Sequence, residues 1–445
     1  MKLLLISPSW LPALWNGGKV LAPPLSLPVL ASLSPRDADI HLVDEHVEPV
    51  DLHEPADLVG ISCMTAAAPR GYEIADRFRA RGVPVVMGGM HPSALPEEAA
   101  QHADAVVIGE AENLWPQVLA DFAAGRPQRI YRAAQRPSLE GLPFARRDLL
   151  QAERYLSVNL VQTARGCPNQ CKFCSVTSTF GRRYRFRPVS EVIEEVRSLN
   201  TRWVAFTDDN IVAGRSRAKE LFEALIPLRL RWVSQGDLTM AKDKELLRLM
   251  ARSGCTWMFI GLESVSQASL AAANKGPNLG VDMAEAIKTI QRHGIDIVGS
   301  FVFGLDPDTP ASFRETVEFA ERLKLGAAQF AVLTPFPGTI THEELQREGR
   351  ITSHDWSRYT QGHVVYQPRN MTAAELQQAR AQAYARFYSR PSVWRRVLVL
   401  RGGMTKSLLR MAVNVSYRRL YRGGRISDRV LGQTVTSPAV RPAQA

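Results

Sequence analysis

Long apolar runs are missing from this sequence. No stretch approaches the ~18 uninterrupted apolar residues of a spanning helix. The opening Met1-Lys-Leu-Leu-Leu-Ile6 is followed almost at once by Pro8, too brief a run for a secretion signal. Cysteine is nearly as scarce, at five in 445 residues, so a disulfide framework is excluded and the cytoplasm is the expected location. Most of the chain also lacks an excess of either charge. Between Arg386 and Arg429, twelve Lys/Arg stand against one acidic residue, Asp428, and this stretch carries the whole net charge of +11. A neutral body argues against nucleic acid as a partner. At 445 residues the chain exceeds one ordinary core, so two or three domains are expected.

Against that scarcity, three cysteines fall within eight residues, in Arg165-Gly-Cys-Pro-Asn-Gln-Cys-Lys-Phe-Cys-Ser175. The segment is polar and turn-prone, unlike the surroundings of a buried structural cysteine. A zinc site would want a fourth ligand, and Ser-Val-Thr-Ser-Thr after Cys174 offers none. Thiolates hold iron–sulfur clusters, usually four per cubane, so three would leave one iron open to another ligand. Cys167, Cys171 and Cys174 are therefore the candidate ligands of a [4Fe-4S] cluster. Cys63 and Cys255 lie outside any cluster and read as buried packing residues.

The run Cys167-x-x-x-Cys171-x-Phe173-Cys174 resembles the signature of the radical S-adenosylmethionine superfamily. The resemblance implies that the open iron binds S-adenosylmethionine and that one electron releases a 5′-deoxyadenosyl radical. It further implies a dry, enclosed site and an external electron donor of flavodoxin or ferredoxin type.

The first 125 residues alternate short apolar runs (Leu3–Ser7, Ile40–Val43, Leu58–Ser62, Val85–Met87, Ala105–Ile108) with helical stretches such as Ala68–Arg81 and Pro96–Gln101. This predicts a doubly wound, Rossmann-like parallel α/β domain with its ligand at the carboxyl ends of the strands. Upstream of a radical motif, it resembles a cobalamin-binding domain, with 23 residues between Ser62-Cys-Met64 and Gly88-Gly89. The resemblance implies cobalamin contacts from Ser62, Met64, Thr65, Gly88, Gly89, His91, Gly109 and Glu110. The glycines are read as letting the backbone approach the nucleotide tail of the corrinoid. The Asp-x-His-x-x-Gly pattern is absent from Pro8–Gly18, and Asp44-Glu-His46 follows the second strand, so no histidine ligand to cobalt is expected from either.

From about Val158 to Pro337 strands and helices alternate again, with stops at Gly254 and Gly294, which predicts a partial (βα)6 barrel with its site at the strands' carboxyl ends. There the resemblance implies that S-adenosylmethionine meets Phe173, Asp208, Asp209, Gln235, Glu263 and Phe303. Asp208 and Asp209 stand where relatives often carry Gly-Gly-Glu, Glu263 is read as accepting the ribose hydroxyls, and Phe303 ends the strand beside the adenine. No catalytic base is named, because hydrogen abstraction by a nucleoside radical needs none.

Thr372-Ala-Ala-Glu375 predicts a capped helix towards Tyr388. The basic, amphipathic stretch over 390–425 leaves two readings open: contact with anionic lipid at a membrane surface, or packing on the barrel with the basic face in water. The expected division is a cobalamin-binding domain over 1–130, a linker over 131–155, the radical barrel over 156–345, a mainly helical basic region over 346–430, and a disordered tail over 431–445. The activity implied is transfer of methyl from methylcobalamin to an unactivated carbon of a small-molecule substrate, with a hydrophobic one favoured by the basic, amphipathic tail. A non-methylating oxidation, cyclisation or rearrangement of a tetrapyrrole, lipid or natural-product intermediate is the alternative, and a non-enzymatic cobalamin sensor a third.

Overall fold

The computed structural model describes residues 1–10, 19–397 and 403–422. Most of the Pro8–Gly18 loop and the expected tail over 431–445 lie outside the described residues. Six strands form the first sheet: β1 (Lys2–Ser7), β2 (Asp39–Asp44), β3 (Leu58–Ser62), β4 (Val85–Gly88), β5 (Ala105–Ile108) and β6 (Ile130–Arg132). Their order is β2-β1-β3-β4-β5-β6, and every pairing is parallel. Leu3, Leu4, Leu5 and Ile6 on central β1 are all fully buried, as a strand covered on both faces requires. The helix Ala68–Ala80 covers one face, and Trp115 at the head of Trp115–Ala123 fills the other. Ile130–Arg132 reads as loop from its Pro- and Arg-rich neighbours. Tertiary pairing with β5 makes it a strand.

Four short strands and four longer ones follow: β7 (Leu160–Val161), β8 (Ala164–Arg165), β9 (Arg185–Phe186), β10 (Trp203–Phe206), β11 (Arg231–Gly236), β12 (Cys255–Glu263), β13 (Asp296–Phe303) and β14 (Ala327–Val332). The second sheet runs β14-β13-β12-β11-β10-β7, all parallel, which is the partial six-stranded barrel. Burial alternates along its strands. Thr207, Gln235, Phe259, Ser300 and Gln329 are half-buried and line the interior, whereas their strand neighbours are buried under the helices. Asp243 and Asp282 cap the helices Lys244–Ser253 and Met283–Arg292 by accepting from Leu246 N and Glu285 N. Gly254, at φ +99°, ends the first of these where a Cβ would stand 1.8 Å from Leu230 O.

A barrel of six strands leaves β14 as an open edge. The helix Ala373–Phe387, which begins on the expected Thr372/Glu375 capping box, covers it. Tyr388 Oη accepts from Ala328 N and donates to Ala328 O, Tyr384 Oη accepts from Phe330 N, and Arg380 Nε donates to Phe330 O. Side chains thus take the place of a seventh strand. The helices Arg390–Val397 and Gly403–Arg422 pack behind. Arg396 is buried, donates to Leu325 O, Phe387 O and Asn414 Oδ1, and lies 3.6 Å from the Phe387 ring centroid. Arg410 is buried against Asp296 at the start of β13, at 2.6 Å. The tail's charge is therefore partly internal, which corrects the expectation that its basic face meets only water or lipid.

Replacing Arg410 by alanine leaves Asp296 buried without its partner and is expected to cost about 3–5 kcal/mol. Urea unfolding followed at the barrel's tryptophans reads this as a lower midpoint.

Candidate active site between the two sheets

The cysteines lie on the excursion between β8 and β9, which has one short helix, Ser175–Phe180, immediately after Cys174. A few bonds close the loop on itself, Cys167 N to Gly181 O, Cys174 N to Cys171 O and Thr177 Oγ1 to Asn169 O, and the rest of its support comes from outside. Asp208, at the end of β10, is completely buried, and its carboxylate accepts from Thr163 N at 2.6 Å, from Ala164 N at 3.1 Å and from the Thr163 hydroxyl. Asp209 accepts from Gly166 N at 3.2 Å. From segments that follow β12 and β14 on the same rim, Lys172 N donates to Ala273 O, Asn274 Nδ2 to Gln170 O, and Lys172 Nζ to Glu344 at 2.7 Å. Burial pushes both aspartates up to about 6, against the hydrogen bonds that favour their charge. Asp208 is spent on holding the cysteine strand and does not fit the expected ligand contact.

Glu263 closes β12 at φ +63°, after a register shift between Gly261 and Glu263. A non-glycine residue held in that region is a strained position of the kind that functional sites retain. Its Oε1 takes Lys275 Nζ at 2.7 Å. Burial opposes the ammonium charge, but Glu263 and then Cys171 hold it above its usual range. Burial raises the thiols of Cys167 and Cys171 and pushes Cys174 up to about 12, with Lys275 acting the other way on all three. Lys275 is a candidate site residue that no sequence motif singles out. Its sequence signal, Asn274-Lys-Gly276, is an ordinary turn, and only folding sets it between the carboxylate and the thiols.

Gln235 is half-buried in the interior, and Phe173 packs partly buried on the barrel core. Phe303 points outward into an aromatic cluster with Phe313 (4.4 Å between centroids) and Phe330 (5.5 Å). This corrects the expected adenine contact: the strand's period of two puts Val302 and Phe303 on opposite faces, and Phe303 falls on the helix side. Thr207 Oγ1 and Asn210 Oδ1, flanking the two aspartates, are buried polar atoms without a partner and remain for a ligand.

On the first domain, Met64 is 56% exposed, Thr65 is buried, and Ser62 Oγ donates to Ser26 Oγ. Gly89 (φ +97°) is required by its own chain, since a Cβ there would lie 2.7 Å from Cys63 O. Gly88 has only ordinary contacts, whereas Gly109 (φ +82°) has nothing within 4 Å of where its Cβ would stand and leaves open space at the end of β5. His91 is fully buried with Nε2 3.0 Å from Tyr72 Oη and 3.2 Å from Glu98, and burial lowers its pKa. It braces the loop from beneath, a correction to the expected contact. Glu110 is turned towards Arg165 and Arg185, so its carboxylate is also unavailable to a corrinoid. Cys63 and Cys255 are buried as expected. The helix Met90–Ala94 packs against Ser175–Phe180, with Ser175 Oγ 3.9 Å from Met90 Sδ, so the glycine loop and the cysteine loop meet face to face.

Two family models match: the radical SAM superfamily over residues 161–320 and the B12 binding domain over residues 24–119. The bacteriochlorophyllide d C-12(1)-methyltransferase of Chlorobaculum tepidum is 31% identical over 84% of this chain and 84% of its own length. The chain belongs to the cobalamin-binding radical S-adenosylmethionine family. The C-8(2)-methyltransferase of the same organism is 30% identical over 89% of this chain and 91% of its own. TsrM of Kitasatospora setae, solved with cobalamin and a [4Fe-4S] cluster, shares the fold at TM-score 0.69 and 18% identity, over 95% of this chain and 99% of that one.

The family's cofactors are the cluster, S-adenosylmethionine and cobalamin. The residues fit them. Three thiols share one loop beside a buried ammonium, orphaned polar atoms border it, and Gly109 opens a space on the facing domain. Among the described residues no three acidic, cysteine or histidine side chains already surround one point, as a mononuclear metal would require. A cubane differs, because each thiolate meets its own iron.

In iron-free folded protein at pH 8, iodoacetamide is expected to modify Cys167 and Cys171 first and to leave buried Cys63, pushed up to about 12, and Cys255 unmodified. Peptide mass spectrometry orders the sites. Labelling of Cys63 ahead of the loop would contradict the packing described.

Proposed function

We propose that this chain is a C-methyltransferase that acts on an unactivated carbon of a large hydrophobic molecule, a tetrapyrrole of the chlorophyllide kind. The observation that carries the reading is the apposition of the cysteine loop on the glycine loop, through Ser175–Phe180 and Met90–Ala94, in a chain whose relatives are named as methyltransferases. Cys167, Cys171 and Cys174 would hold the cluster. Glu263, Lys275, Gln235, Thr207 and Asn210 would receive S-adenosylmethionine, and the loops at Ser62–Thr65, Gly88-Gly89 and Gly109 would receive the corrinoid. When bound, the cluster and S-adenosylmethionine supply a hydrogen-abstracting radical and the corrinoid supplies a methyl group.

The protein's own part is positional. Asp208 and Asp209 fix the strand that enters the cysteine loop, and Lys275 offers a buried cation beside Glu263, suited to a carboxylate on the ligand. The helix-side core and the packing of the two domains would limit water in the interior once the ligands fill it, as a radical there requires. An external one-electron donor completes the cycle. A peripheral membrane contact draws support from exposed Trp394 (53%) and Leu408 (66%) on the last helices. The inward turn of Arg396 and Arg410 limits the charge available for it.

Anaerobic reconstitution is expected to give about four irons and about one cobalt per chain. Incubation with reductant and a chlorophyllide should release S-adenosylhomocysteine and 5′-deoxyadenosine in equal amounts with a product heavier by one methylene. Deoxyadenosine without stoichiometric S-adenosylhomocysteine would replace methylation by cyclisation, oxidation or rearrangement. Iron without cobalt, despite excess hydroxocobalamin, would remove the corrinoid from the reaction. Cys167→Ala should lose most of the iron, read by colorimetric assay, while Cys255→Ala keeps it.

A further inference from the structure

The excursion that carries all three cysteines, residues 166–184, is closed at its neck by β8 and β9, which pair antiparallel with Arg165 opposite Arg185 and Ala164 opposite Phe186. A ladder of two residue pairs cannot hold itself together in water. Both arginines at this neck turn to one carboxylate on the other domain. Arg165 Nη1 donates to Glu110 Oε2 at 2.9 Å, and Arg185 Nη2 donates to Glu110 Oε1 at 2.6 Å. Arg165 Nη1 also pairs with Glu112, and Arg136 approaches Glu110 at 3.9 Å. Glu110, Glu112 and Arg165 are all buried, so this is a desolvated cluster and not a surface ion pair.

Apart from the packing of Met90–Ala94 on Ser175–Phe180, the other anchors of the cysteine loop, Asp208, Asp209, Ala273, Asn274 and Glu344, belong to the barrel side. Glu110 and Glu112 come from the loop that follows β5, next to Gly109 and the open space above it. Gly109 is itself tied down, its N–H donating to Ser93 Oγ at 2.8 Å. A group that fills the space over Gly109 therefore presses on the residue joined to Glu110, and through Glu110 on both strands of the neck.

We propose that Glu110, with Glu112, is a positioning residue: a carboxylate latch by which the corrinoid-side loop sets the neck of the cysteine loop, so that filling the first site orders the second. The proposal rests on the family reading for the nature of the occupant, but the latch itself rests on the ion pairs alone.

Hydrogen–deuterium exchange on the full chain, without iron, tests it. In Glu110→Gln, peptides within 166–184 should exchange at least about tenfold faster than in the wild type, since one partner of a desolvated pair is gone. Peptides from β1 to β4 should be unchanged. Added hydroxocobalamin should slow exchange across 166–184 in the wild type and have no such effect in Glu110→Gln. After reconstitution to equal iron, the variant's reduced cluster should give an altered electron paramagnetic resonance line shape, which a merely less stable fold would not produce. Equal exchange over 166–184 in the two proteins, or acceleration spread evenly through the chain, overturns the latch. Hydroxocobalamin protection confined to residues near 105–112 overturns the coupling. If Glu110→Gln does not fold, Glu112→Gln carries the variant arm, and the wild-type arm stands without either. If the wild type binds no hydroxocobalamin by its absorbance, the corrinoid reading fails, and the variant arm alone decides the latch.

Discussion

Three thiolates can serve one cluster only if a loop with almost no regular structure holds them in fixed positions, and this constraint governs the architecture. The excursion between β8 and β9 contains six helical residues and few bonds of its own, and depends largely on groups far away in sequence. Asp208 holds its entry strand through three hydrogen bonds, a use of a buried carboxylate that costs desolvation and is repaid in fixed geometry. Asp209 holds Gly166, Glu344 holds Lys172, and Glu110 reaches across from the other domain to both arginines of the neck. The loop is thus a surface on which these three separate parts of the chain converge.

The same logic of supplying from elsewhere what an element lacks appears at the barrel's open side. Six parallel strands do not close, and β14 would expose its backbone donors and acceptors. Tyr384, Tyr388 and Arg380 answer them one by one from a single helix. Their spacing of four residues is the repeat of one helix face, so one rigid element meets alternate peptide groups along the strand. Arg396 and Arg410 then bury their charge behind it, against carbonyls and Asp296 respectively. A region whose composition suggested a lipid or solvent face is in large part the fourth wall of the barrel.

The two domains, their parallel sheets and their longer strands follow from short apolar runs set between helical stretches, because that pattern is local, whereas the two-residue strands β7, β8 and β9 have no such run. β6 escaped, since Ile130–Arg132 has no pattern of its own and becomes a strand by pairing with β5. The cysteines were legible because a C-x-x-x-C-x-x-C spacing has few other uses. Ligand-facing residues were less so. The acidic pair after β10 was visible, but its direction was not: Asp208 turns back to its own chain. Phe303 fell on the wrong face of its strand by one residue, Glu110 turned to arginines 55 and 75 positions away, and His91 turned to Tyr72 and Glu98, 19 and 7 positions away.

What the sequence alone determined, then, is the succession of longer strands and helices and the metal-binding chemistry, both of which depend on spacing over a few residues. Tertiary structure alone decided which carboxylates face a ligand and which face an arginine or an amide. It also set Lys275 between Glu263 and the thiols, and turned a basic tail inward to finish a barrel. The reason is physical. A side chain's charge and shape are written in its identity, but its partner is chosen by burial, and burial is a property of distant segments brought together.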